Sequence, residues 1–192
     1  MFIVITGLDG SGTSSVAKEL KKIDKESIIL KTPSEEFSER DKVDKDVRET
    51  SQLAHYLFYL SSVIYMSEKI KKSYDYKNKN VYCVRYLIDT VVSHQVAGLD
   101  VNLDYSKYNI LKPDLTIFVS ANEEIRERRI SERGKSILDK ILDDTRTRDS
   151  FLEKFDKLLD KNRTIFFDNT DENIELNIMK LYKQILRKES KI

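Results

Sequence analysis

Three of the five glycines in this 192-residue chain, Gly7, Gly10 and Gly12, fall within one six-residue window. Glycine is needed where backbone must adopt positive φ or come close to a ligand, so this clustering marks one loop as special. The loop follows Phe2-Ile3-Val4-Ile5-Thr6, a short β-branched run without alternation, which reads as a buried strand. It precedes Val16, Leu20 and Ile23 at helical spacing. A strand that turns through glycines into a helix gathers backbone N–H groups and the positive end of the helix dipole in one concavity, where oxyanions bind. Gly7-Leu8-Asp9-Gly10-Ser11-Gly12-Thr13-Ser14 fits the phosphate-loop pattern G-x-x-x-x-G-K-[ST] at every fixed position except the lysine, which is Thr13. Gly7, Gly10, Ser11, Gly12, Thr13, Ser14 and Ser15 are therefore the expected phosphate-binding residues. The amides of Gly10 to Ser14 would point into the nest, and the Ser14 hydroxyl stands where it would hold Mg²⁺. Thr13 puts a neutral hydroxyl where an ammonium normally offsets the charge of the transferred phosphate.

The rest of the chain alternates strand and helix signals. Ser27 to Lys31, Asn80 to Val84, Asp114 to Val119 and Thr164 to Phe167 read as further buried strands. Between them, Leu53 to Ile70, Leu87 to Val96, a segment ending near Arg133, Ser136 to Leu159 and a last stretch marked by Ile174, Ile178, Leu181 and Ile185 read as helices. Ser120 with Glu123 reads as a capping box. Thr32 to Asp46 is polar and reads as a loop with a short helix. This order predicts βαβ units and a five-stranded parallel sheet with helices on both faces, in one domain spanning 1–192. Ligands of such sheets bind at the carboxyl ends of the strands, here after Thr6, Lys31, Val84, Val119 and Phe167.

Thirty-four basic residues nearly cancel thirty-three acidic ones, which speaks against a nucleic-acid partner. One cysteine, Cys83, forms no internal disulfide, and two histidines with one cysteine make a zinc site unexpected. No apolar run is long enough to span a bilayer and the start lacks a basic signal region, so a cytoplasmic protein without a membrane partner is expected.

With Asp9 inside the loop, the chain resembles the thymidylate kinases, whose loop reads G-x-D-G-x-G-K-[ST]-[ST]. Val84-Arg85-Tyr86 is similar to that family's Asp-Arg-Tyr. Pro113-Asp114-Leu115 is similar to its Pro-Asp-Leu strand, and Arg129-Ile130-Ser131-Glu132-Arg133-Gly134 to the stretch that leads into its lid. The resemblance covers about Phe2 to Leu186. It implies an α/β fold of the P-loop NTPase type, a three-layer sandwich with a lid at about 133–150. It implies ATP and Mg²⁺ as cofactors and a nucleoside monophosphate as substrate. By resemblance, Asp9 lies near the acceptor's 3′-hydroxyl, Arg85 holds the acceptor phosphate, Phe58 stacks on the base, and Gln95 falls in the acceptor-side polar helix. Arg126, Arg128, Arg129 and Arg133 are lid candidates, of which Arg129 and Arg133 match the family pattern and join Arg85 as the catalytic set. His94 reads as a surface histidine. The family is dimeric through helices like Leu53 to Ile70, whose apolar stripes, with Tyr59, Tyr65 and Met66 on other faces, fit a homodimer. Val84 replaces the family aspartate, Ser62 its base-reading arginine, and Thr32-Pro33-Ser34-Glu35-Glu36 its Arg-Glu-Pro-Gly-Gly.

The expected activity is ATP-dependent phosphoryl transfer to a deoxynucleoside monophosphate, dTMP or a related nucleotide. Two alternatives stand beside it. One is a degenerate nucleotide-binding homologue with little transfer. The other is a kinase for a different small acceptor.

Overall fold

A computed structural model describes residues 1–135, 142–170 and 174–190. Five strands, β1 (Phe2–Thr6), β2 (Ile28–Lys31), β3 (Val81–Val84), β4 (Leu115–Ser120) and β5 (Thr164–Asp168), form one all-parallel sheet in the order β2-β3-β1-β4-β5. The helices are α1 (Thr13–Ile23), α2 (Gln52–Ser73), α3 (Leu87–Val96), α4 (Glu123–Arg133), α5 (Thr145–Leu158) and α6 (Ile174–Glu189).

The alternation of β1 divides the core. Ile3 and Ile5 face α1 and α6, packing with Val16, Leu20, Ile178, Leu181 and Ile185. Phe2 and Val4 face the other way, onto Leu60, Val63, Met66 and Ile70 of α2 and Leu87 and Val91 of α3. A third cluster joins Leu8, Ile88, Val92, Phe118 and Phe155 beneath α3 and α5. Each such side chain contributes roughly 1.5–3 kcal/mol on burial, and the three layers follow from covering both faces of the sheet. β1 sits at the centre with no alternation left exposed, as its sequence requires.

Some expectations change. β2 lies at the sheet edge and is only half-buried, because it has one neighbour instead of two. α4 is capped by Asn122, whose side chain accepts from Ile125 N at 2.9 Å, while Ser120 still belongs to β4. The polar stretch after β2 is more ordered than a loop. Arg40–Lys42, Val43–Val47 and Arg48–Thr50 form successive helical turns, the middle one π-helical. Such turns often accompany functional sites. Met66 is core, whereas Leu53, Leu57 and Tyr65 on α2 are exposed. Of the expected lid at about 133–150, residues 136–141 lie outside the described residues. Among the described residues no helix is long and apolar enough to cross a membrane.

Candidate functional site

The carboxyl ends of β1, β2 and β3 open onto one cavity of about 890 Å³, lined by the glycine loop, the 40–48 stretch, α2, α3 and α4. That is the upper end of the range for a small-molecule site.

The end at the glycine loop is made of backbone. Gly7 takes φ +153°, and a Cβ there would be driven into the Val119 carbonyl of β4. Gly12 takes φ +92° and is the N-cap of α1, with no side-chain cap on the helix. The first-turn amides of α1 are thus left for a ligand, beside the positive end of the dipole. Ser14 and Ser15 are exposed at this turn and Thr13 is buried against it. All three line the cavity with Gly7, Gly10 and Gly12. Ser11 departs from expectation. Its N–H donates to Leu8 C=O at 3.1 Å, closing a turn inside the loop, and the residue is fully buried behind it.

The outside of the loop is clamped through its carbonyls. Arg126, buried at 4% exposure, donates from Nε to the Asp9 carbonyl at 2.9 Å and from Nη1 to Glu123 at 3.0 Å. Arg129 donates to the Ser11 carbonyl at 3.3 Å and the Asn169 carbonyl at 3.0 Å. Asn169, just past β5, donates from Nδ2 to Ser11 O at 2.8 Å. The loop therefore keeps its amides inward because its carbonyls are held outward. Arg129 and Arg133 also line the cavity. Neither the role of Arg126 nor that of Asn169 carries a signal in the sequence, since both act on main-chain atoms far away in the chain.

Between the two ends stands Arg85. It follows β3 with φ +68°, a left-handed conformation that costs a non-glycine residue roughly 1–2 kcal/mol. Its N–H still pairs with Ile5 O at 3.0 Å, so the strain lies in the turn that swings the side chain over the loop. The guanidinium donates to Asp9 at 2.9 Å, to Asp89 at 2.8 Å and to the Gly7 carbonyl. Burial pushes its pKa down, but Asp9 and Asp89 outweigh burial and hold it above the ordinary arginine value. Asp89 also accepts from Thr6 Oγ1 at 2.6 Å and from Tyr86 N at 3.0 Å. A carboxylate thus stands beside the strand ends although Val84 is apolar. The spacing of Asp89 three residues after Tyr86, an N-terminal capping position of α3, was the available signal for it.

Lys31 ends β2 and lines the same cavity. Burial lowers its pKa, and Arg40, Arg85 and Arg133 lower it further, with Asp9 opposing. Cations gathered this way around a cavity favour a bound anion.

The opposite end of the cavity is made of side chains. Asp44, Arg48, His55, Tyr59, Thr90, Ser93 and His94 line it. Phe58 does not. Its ring packs edge-on against Phe37 at 5.7 Å and against Tyr59 at 5.5 Å between centroids. Gln95 is likewise turned aside, donating to Val101 O at 2.7 Å. Ser62 is buried, with its hydroxyl on Tyr59 O. His94 is not on the surface but 2% exposed, in contact with His55. Glu36 is spent on Tyr65 and Lys69 at the surface.

Among the described residues no group of three or more His, Cys, Asp or Glu side chains is arranged to hold a metal. A divalent ion here would depend on the Ser14 hydroxyl and on ligand oxygens, a hard-oxygen donor set that suits Mg²⁺.

A thymidylate kinase family model matches residues 5–180. The chain is similar to a probable thymidylate kinase of Methanocaldococcus jannaschii, 30% identical over 185 residues, covering 91% of this chain and 90% of that one. It is similar to another of Archaeoglobus fulgidus, 27% identical over 181 residues, covering 90% and 83%. Among solved structures, a thymidylate kinase from Candida albicans superposes with a TM-score of 0.75 at 19% identity, covering 98% and 92%. A deoxyadenosine kinase from M. mycoides with bound dATP superposes with a TM-score of 0.69 at 20% identity, covering 96% and 99%. At these identities the structural likenesses speak for the fold.

Proposed function

Because the chain belongs to the thymidylate kinase family, we propose that it transfers the γ-phosphoryl group of ATP to a deoxynucleoside monophosphate, dTMP or a close relative. The observation that supports this reading is that the uncapped N-terminus of α1 and the Arg85 guanidinium line one cavity. The open first-turn amides of α1 take the donor phosphates, and Arg85, aimed across Gly7 by its left-handed backbone, faces them from the acceptor side.

Transfer of this kind rests on positioning and charge neutralisation. The loop amides hold the donor phosphates in place while Arg126, Arg129 and Asn169 keep the loop from relaxing. Ser14 would hold Mg²⁺, which supplies charge neutralisation between the phosphates. Arg85 presents a planar fork to the acceptor phosphate, with Asp9 and Asp89 fixing its plane. Asp9 lies beside Arg85, where it can receive an acceptor hydroxyl. The missing ammonium at Thr13 is offset by cations that line the same cavity, namely Lys31, Arg129 and Arg133. The exposed Leu53, Leu57 and Tyr65 stripe on α2 is where a second copy of the chain would pack.

A second reading, nucleotide binding with little transfer, is favoured by Thr13 and Val84, two substitutions that each remove a charge. A coupled phosphoryl-transfer assay with ATP and the common nucleosides and nucleoside monophosphates separates the readings. Turnover that selects a deoxynucleoside monophosphate supports the proposal. Calorimetric binding of ATP without turnover on any acceptor supports the second reading, and turnover only on nucleosides overturns both.

A further inference from the structure

The acceptor end contains a buried hydrogen-bonded chain that the transfer chemistry does not use. His94 Nδ1 lies 2.7 Å from the Thr90 carbonyl, His94 Nε2 lies 2.7 Å from His55 Nδ1, and His55 Nε2 lies 2.8 Å from Asp44 Oδ1. The same Asp44 oxygen accepts from Tyr59 OH at 2.7 Å. Both imidazoles are 2% exposed.

The donors in this chain can be counted. A carbonyl only accepts, so His94 carries its hydrogen on Nδ1 and offers a lone pair at Nε2. His55 must then donate from Nδ1. An ionised Asp44 also only accepts, so His55 must donate from Nε2 as well. Two neutral rings beside a carboxylate are one hydrogen short, and the shortage would set two lone pairs against each other at 2.7 Å. One additional proton removes the conflict. Burial, chiefly, pushes His94 down to about 4, so it is not His94 that takes it. Burial raises the Asp44 carboxyl, but the hydrogen bonds from His55 and Tyr59 prevail and hold it below the usual carboxylate range. The hydrogen count therefore places the proton on His55, between the two.

The chain joins three elements. Asp44 lies in the π turn of the 40–50 stretch, His55 in the first turns of α2, and His94 in α3. The charged and titratable groups that face it are Arg40 and Arg48 from the 40–50 stretch and Tyr56 and Tyr59 from α2. The two arginines oppose the proton, and Asp44, in direct contact, favours it. Arg48 lines the cavity, and its buried Nη1 has no hydrogen-bond partner among the described residues. While the proton is present, Asp44 is balanced by His55 and that guanidinium nitrogen is left for an incoming ligand. Once it is lost, Asp44 competes for Arg40 and Arg48, and the two rings repel.

We propose that Asp44, His55 and His94 are positioning residues whose single shared proton clamps the 40–50 stretch, with Arg40 and Arg48, against the acceptor end of the cavity. The inference rests on the reading of that end as the acceptor site, and its consequence is that acceptor binding weakens as the proton leaves.

The chain's only two histidines are these two, so histidine-selective ¹⁵N labelling reports this pair and nothing else. At mildly acidic pH the spectra should show His94 as the neutral Nδ1–H form and His55 doubly protonated. Raising the pH should remove one proton from the pair and lower the amide protection factors, which compare exchange with that of an unstructured chain at the same pH, across residues 40–50. In turnover, the acceptor KM should rise about tenfold over the same range with kcat changed less than twofold, a coupling of ordinary size. His94→Leu abolishes the lone-pair conflict, lets neutral His55 serve Asp44 alone, and should flatten the KM profile. His94→Gln keeps an acceptor for His55 Nδ1 and should preserve it. Two neutral rings throughout, protection factors across 40–50 that do not change with pH, or the same KM profile in both variants would overturn the inference. The spectra and exchange rates need no substrate, so they decide it even where every acceptor fails, and that failure would count against the kinase reading alone.

Discussion

The proposed donor and acceptor ends of the cavity are built from different parts of the polypeptide. At the donor end the working groups are amides, presented by Gly7 to Ser15 within one strand–loop–helix unit. At the acceptor end they are side chains, brought together from the 40–50 stretch, α2 and α3, with Arg85 between. Backbone groups belong to every sequence, so only the glycines and the spacing restrict the donor end. Side-chain networks depend on the identity of each member. The first kind of site tolerates the loss of one side chain, such as the lysine that Thr13 replaces, while keeping its shape. The second kind should not.

Arg85→Ala tests that contrast most severely, because it removes the one group that serves both ends. It abolishes the fork toward the acceptor phosphate and leaves Asp9 and Asp89 without their cation beside the loop. The loss in kcat/KM for the nucleoside monophosphate should be on the order of a thousandfold, about 4 kcal/mol. Arg85→Lys should recover only part of it, since an ammonium cannot bond Asp9, Asp89 and a phosphate in one plane. Steady-state kinetics of both variants check this, and a loss below tenfold would place the acceptor phosphate elsewhere.

Gly12→Ala strikes the donor end alone. The residue sits at φ +92°, and its Cβ would displace Asn169, which holds the Ser11 carbonyl. Left-handed strain and the lost clamp together should weaken ATP binding about a hundredfold by calorimetry, roughly 2–3 kcal/mol, with acceptor affinity nearly unchanged. Equal losses for both ligands would mean that the two ends are not separate.

The same division explains what the sequence disclosed. β1, the loop and α1 were legible, because a buried strand, clustered glycines and a helical stripe are local signals that the fold reinforces. Five parallel strands and three layers followed from the alternation of strands with helices, whereas the strand order came from the structure. Arg85 was legible from its place after β3. The acceptor end was not. Phe58 and Tyr59 are adjacent on α2, and one turns to Phe37 while the other turns to Asp44. Only the packing of the 40–50 stretch decides which faces the cavity. His94 read as a surface residue because its partner lies thirty-nine positions earlier. Gln95, its neighbour, is directed to Val101 by the same helical rotation. Asn169 and Arg126 act on carbonyls, and nothing in a residue's identity announces a main-chain partner.

Thr13→Lys would sharpen the contrast from the opposite direction, by adding to the donor end. An ammonium at that position should raise kcat about thirtyfold, about 2 kcal/mol of barrier, with the acceptor KM within twofold. A smaller gain means that a cation already present does the work. Lys31 is the first to test, because it lines the cavity, where burial and the neighbouring arginines disfavour its charge until an anion arrives. Lys31→Gln should then lower kcat in the parent protein and have little effect in the Thr13→Lys background. Equal losses in both backgrounds would assign Lys31 to the acceptor phosphate instead.

The smallest effect concerns acid stability, and it belongs to the acceptor end alone. Burial holds His94 at about 4, below its ordinary value of 6.5, so the unfolded chain binds a proton there that the folded chain refuses. Between those values stability must fall as pH falls, because the unfolded state gains protons first. Asp44 acts in the same direction but at lower pH. Its depressed pKa adds stability above the ordinary carboxylate value, and that stability is lost only as pH drops through the folded value. Glutamates such as Glu36, held below their ordinary value, join in toward the lower end of the window from pH 6.5 down to 4, so the imidazole is isolated by comparison with a variant that lacks it. Its share of the loss across that window should be on the order of 1 kcal/mol, after discounting for water that reaches the cavity wall. Thermal unfolding of the parent protein and of His94→Gln over this window checks the point. The variant has no ring to protonate at that position and should unfold with a shallower pH dependence. Identical slopes would mean that His94 accepts its proton as readily when folded as when unfolded, and the acceptor end would then be as tolerant of a changed side chain as the glycine loop.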